Sequence, residues 1–164
     1  MGRGPAVGAN KGMSYSAPLE MLADVSGSVT FGWADEGVYY ARFNRCLSAK
    51  LGEAFAARLS AAVESADAVK YFADARALES YDLLARSALV RVIIEHRRKF
   101  AELNFLSWTD GEIDEALADS LGQPLSITKD PIEFEADLIR AAPRARSRLG
   151  ARPDSPRTRW GLRR

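Results

Sequence analysis

The feature that most constrains this chain is an alternation of short strand-like runs with longer helix-like ones. Ser28–Ala34 and Val38–Phe43 are rich in β-branched and aromatic residues and flank the turn signal Asp35-Glu36-Gly37, which predicts a β-hairpin. Leu47, Leu51, Phe55, Leu59 and Val63 then recur every fourth residue, the spacing of one buried helix stripe. A short strand is expected over Ala68–Ala73. A helix is expected from Leu83 to Phe100, with Asp82 as its N-cap and Arg97-Arg98-Lys99 near its end, where basic groups complement the helix dipole. Glu102–Trp108 reads as a strand, Glu112–Leu121 as a helix stopped by Gly122, and Pro124–Thr128 as a last strand. Asp130 with Pro131 opens a closing helix through Ala142. The order β-β-α-β-α-β-α-β-α predicts an α/β fold: a mixed, mostly parallel sheet with a leading hairpin and about four helices.

The ends differ from this body. Residues 1–20 are rich in Gly, Ala and Ser without periodicity, and are expected to be flexible. Residues 143–164 hold eight Arg and one Asp, a charge of +7. Since the whole chain of 164 residues carries +1, the remainder carries −6. Few apolar residues accompany those arginines, so this tail is expected to be disordered, leaving 21–142 as one domain. Arg144, Arg146, Arg148, Arg157 and Arg159 offer weak contacts to nucleic-acid phosphates or an anionic surface, or simply a solvated tail. Arginine spacing alone reads no base sequence.

Catalytic chemistry finds little support. The one histidine, His96, falls near the end of a predicted helix beside two arginines, and Phe100 stands where a second helical metal ligand would be. Cys46, the one cysteine, cannot form an internal disulfide and reads as a small buried hydrophobe just before the first helix. Glu112, Glu115 and Asp119 share a predicted helix face that is read as solvated. Gly2, Gly4 and Gly8 match no phosphate-binding pattern. No enzyme activity, metal or cofactor is expected. No apolar run approaches the ~18 residues of a membrane span and no signal-peptide pattern is present, so the expected location is cytoplasmic. Oligomeric state is not legible.

Two features point to binding. Asp74 and Asp82 flank the segment after the middle strand, where open α/β sheets tend to hold ligands. The second helix carries apolar residues at 83, 84, 88, 89, 90, 92, 93 and 94, more than one stripe. Either it is unusually buried, or the surplus forms a surface for another protein.

The element order, together with three short motifs, resembles the STAS domain of anti-sigma factor antagonists. The motifs are Tyr71-Phe72-Ala73-Asp74 followed by Ala77-Leu78-Glu79-Ser80-Tyr81-Asp82, then Gly122-Gln123-Pro124-Leu125-Ser126-Ile127, then Asp130-Pro131-Ile132-Glu133-Phe134-Glu135-Ala136. The resemblance implies a non-enzymatic interaction module acting in signalling regulation. Its partner would be a regulatory protein, such as a kinase or an anti-sigma-like protein, met at loop 74–82 and the start of the second helix. Asp74, Asp82, Leu83, Arg86 and Ser87 are the contacts so implied. The family's phosphorylated serine directly follows the helix-opening Asp, and here that residue is Leu83; Ser80 and Ser87 do not occupy its place. Docking is therefore expected without the serine switch. A carrier of a small apolar ligand or lipid held against the sheet is the other reading.

Overall fold

A computed structural model describes residues 18–107 and 125–145. Among these residues six strands form one sheet in the order β1-β2-β3-β4-β5-β6. They are β1 Glu20–Ala23, β2 Gly27–Asp35, β3 Val38–Leu47, β4 Val69–Tyr81, β5 Phe100–Leu106 and β6 Leu125–Thr128. The first three are antiparallel neighbours, and β3 through β6 run parallel. Helices α1 Ala49–Ser65 and α2 Leu83–Glu95 cross between parallel strands, and α3 Pro131–Ala141 follows β6. The mixed, mostly parallel α/β sheet with a leading hairpin is as expected. The predicted helix Glu112–Leu121, with its three aligned carboxylates, lies outside the described residues.

Alternation along the strands sorts side chains into two cores. Val69, Tyr71 and Ala73 of β4 face α1 and α2, together with Tyr39, Ala41 and Phe43 of β3. Phe72 of β4 and Val38 and Tyr40 of β3 face the opposite way, toward Phe134 and Leu138 of α3. The predicted α1 stripe is buried at Leu51, Phe55, Leu59 and Val63. Leu47 is not part of it: it ends β3, and Ser48 caps the helix by accepting from the Leu51 amide at 3.1 Å. The Ser48 hydroxyl in turn donates to Asp24, whose carboxylate also accepts the Ser26 and Gly27 amides. The Ser48 hydroxyl first, then the Ser26 amide, hold the Asp24 carboxyl below its ordinary range.

Several boundaries differ from the sequence expectation. Strand β1 was not foreseen: its four residues are mostly exposed and owe their conformation to pairing with β2. Strand β4 runs on to Tyr81, so residues 74–81 are strand and not loop, paired with β3 as far as Leu47↔Tyr81. Register shifts at Arg42/Asn44 and Arg45/Cys46 accommodate this extension, and Arg45 takes a left-handed conformation at φ 65°. Helix α2 stops at Glu95, and Phe100 opens β5. Lys99, between them, caps the end of α1 by donating to the Val63 and Glu64 carbonyls at 3.2 and 2.7 Å. The hairpin turn holds at Gly37, with φ 68°. Asp35 beside it has a second role, because its carboxylate accepts the Arg144 amide at 3.1 Å and fixes the chain beyond α3, where Ala142 and Ala145 are buried.

Candidate functional site

Helix α2 begins where β4 ends. Asp82 is its N-cap, accepting the Leu84 amide at 2.7 Å, while its own amide donates to the Leu47 carbonyl. Helical spacing then divides the residues that follow. Ala85, Val92 and Ile93 are buried. Ala85 meets α1 at Gly52, where a Cβ on Gly52 would stand 2.6 Å from the Ala85 Cα. Leu83 and Leu84 project outward, 70% and 63% exposed, next to exposed Tyr81. Asp82 and Ser87 are exposed beside them. The surplus apolar residues at the start of α2 therefore form surface.

The five implied contacts do not converge on one patch. Asp82, Leu83 and Ser87 share the outer corner of α2. Arg86 is half-buried and turned toward the sheet, among the residues lining a cavity beneath α2. Asp74 lies on the other face, since strand alternation puts it with Phe72 and Tyr40, away from α2. It is 3% exposed and accepts from Arg76 three times: from the amide at 3.1 Å, Nε at 3.0 Å and Nη2 at 2.8 Å. Arg76 reaches onward to Glu135 of α3 at 3.6 Å. The hydrogen bonding of Arg76 to the Asp74 carboxylate is the main reason its guanidinium is held above its ordinary pKa, against a smaller opposing effect of burial. Burial first, then the Asp74 charge, push the Tyr40 phenol up. This group pins β4 to α3. Asp74→Ala is expected to lower stability by about 1–3 kcal/mol by stranding a partly buried guanidinium, read by urea denaturation. An unchanged midpoint would remove Asp74 from the structural frame.

The sequence did not disclose a contact between Ser60 of α1 and His96 at the end of α2, with Oγ and Nε2 2.9 Å apart. The Glu64 carboxylate approaches the same nitrogen at 3.8 Å, so serine, imidazole and acid do not line up as nucleophile, base and orienting group. Cys46 stands just before α1 as expected, as the penultimate residue of β3, and is half-buried rather than buried. Among the described residues no three His, Cys, Asp or Glu side chains gather as metal ligands. No helix among them is long and apolar enough to cross a membrane. Of the tail arginines, Arg144 is described; Arg146, Arg148, Arg157 and Arg159 lie outside the described residues.

No family model matches the chain, and no curated protein does. Among solved structures, it is similar to an uncharacterized protein of the DUF3478 family with a SpoIIAA-like fold from Shewanella loihica PV-4. That match has a TM-score of 0.55 and 13% identity, covering 71% of this chain and 98% of that one. The unphosphorylated anti-sigma factor antagonist SpoIIAA aligns at a TM-score of 0.46 and 12% identity, over 68% of this chain and 97% of its own. Among the described residues, six strands in this order, two helices on one face and a closing helix on the other give the chain a SpoIIAA-like fold, the fold that the STAS resemblance implied.

Proposed function

We propose that this chain is a non-enzymatic interaction module that docks a regulatory protein on the outer corner of α2, through Asp82, Leu83 and Ser87. One observation carries the reading: two adjacent leucines, Leu83 and Leu84, stand exposed at a rigidly capped helix start. Exposed apolar side chains rimmed by polar ones suit a partner's apolar contact. The resemblance of the sequence motifs to the STAS domain of anti-sigma factor antagonists supports a protein partner as the class. With Leu83 in the place of a serine, docking here would be constitutive rather than controlled by phosphorylation at that position.

Affinity capture from the native cell extract tests this with three baits: the full chain, Leu83→Glu, and a chain ending at Ala145. A charge at a buried contact centre is expected to weaken capture of the partner at least a hundredfold, while a site ~70% exposed in the free protein leaves the fold intact. A partner retained by Leu83→Glu would remove the site from this corner. Loss only in the shortened chain would transfer binding to the arginine tail, where it should fall steeply with salt.

A further inference from the structure

Arg86 is set apart from the other residues at the start of α2. Its Nε is shielded from solvent and has no hydrogen-bond partner among the described residues, an unfavourable state for a buried donor. It borders a cavity of about 200 Å³ at the carboxyl ends of β4 and β5. Leu89 and Ile93, one and two helical turns on from Arg86, cover it, while Phe43, Ala75, Leu78 and Phe105 line the sheet side. Among the described residues no carboxylate forms an ion pair with Arg86. Glu79, which also lines the cavity, is exposed and is not bonded to it.

An apolar cavity bordered by one arginine without an ion pair among the described residues is complementary to a molecule with one anionic acceptor and one apolar chain. A cavity of about 150 Å³ already holds benzene, so this one has room for a single short chain but not for a two-tailed phospholipid. We propose that the cavity beneath α2 binds a free medium-chain monocarboxylate, its chain against the sheet and its carboxylate paired with the Arg86 guanidinium. Position agrees with chemistry, since ligands of open α/β sheets sit at the carboxyl ends of parallel strands. The inference is independent of partner docking, because Leu83 does not line the cavity.

Calorimetric titration of the full chain with butanoate, hexanoate, octanoate and octanol tests it. Affinity is expected to rise about fourfold per added methylene, the fold-change that corresponds to the ~0.8 kcal/mol of burying one. Octanoate should bind at least tenfold tighter than octanol. Arg86→Gln should erase that preference while octanol binds as before, which also shows the cavity intact. If the Gln variant loses octanol as well, Arg86→Lys decides: a retained octanoate preference supports the site, and a lost one overturns it. Equal binding of octanoate and octanol by the wild type, a preference that survives in Arg86→Gln, or no binding of either overturns it too. Leu83→Glu should leave octanoate affinity unchanged whatever it does to partner capture.

Discussion

Gly52→Val is expected to lower the free energy of unfolding by about 3 kcal/mol, at the upper end of what overpacking a core costs. Gly52 is buried in α1 at the point where α2 crosses it, and any Cβ there would collide with the Ala85 Cβ and Cα. The collision is with backbone as well as side chain, so relief requires one helix to move. In an ordinary helix interior the sign would be opposite, since replacing glycine by alanine gains about 1 kcal/mol. Gly52→Ala should therefore also destabilise here, by less than valine does. Ala85→Gly, which deletes the opposing methyl, should recover part of the loss in the double variant, a non-additivity expected only of residues in contact. Urea denaturation of the four variants checks this. Wild-type stability in Gly52→Val would mean that α1 and α2 do not meet here. Because Arg86 adjoins Ala85, the valine variant should also lose octanoate binding.

Phe55→Ala is expected to cost about 3–5 kcal/mol, the range for deleting a buried aromatic ring. Against the ~5–15 kcal/mol that holds a typical domain folded, that leaves a marginal protein. Phe55 is fully buried and its ring packs 5.1 Å from that of Phe31 and 5.5 Å from that of Phe43, so it ties α1 to both β2 and β3. Phe55→Leu keeps most of the apolar volume and should cost markedly less. A fall in the urea midpoint at unchanged slope is the expected signature, because slope reports the surface exposed on unfolding. A loss below 1 kcal/mol for the alanine variant would show that this aromatic cluster is not the centre of the α1-face core.

Much of the candidate site was readable because its parts are neighbours in sequence. Asp82 as a cap, Leu83 and Leu84 as surplus apolar residues and Ser87 within the next turn all follow from local rules. Arg86 was legible in principle too: it shares helical spacing with Leu89 and Ile93, which marks an inward direction. Asp74 was not. Its placement on the opposite face depends on residues 74–81 continuing β4, and that segment carries Ala, Asp and Glu, which have little strand propensity of their own. Pairing with β3 as far as Tyr81 supplies what propensity lacks. The Ser60–His96 contact joins residues that no spacing rule connects.

The sequence by itself determined the order of most elements, the α1 stripe from Leu51 to Val63, the caps at Asp82 and Asp130, the Gly37 turn and the α/β class. All of these rest on interactions within a few residues, namely helical and strand periodicity, capping and turn conformation. Only the tertiary structure decided that β1 exists, that β4 is long, that Asp74 braces α3 while Leu83 faces outward, and that Arg86 borders a cavity. Those outcomes depend on which strands pair and in what register. One position along a strand reverses the face of the sheet on which a side chain lies, and distant partners, not adjacent residues, set that position.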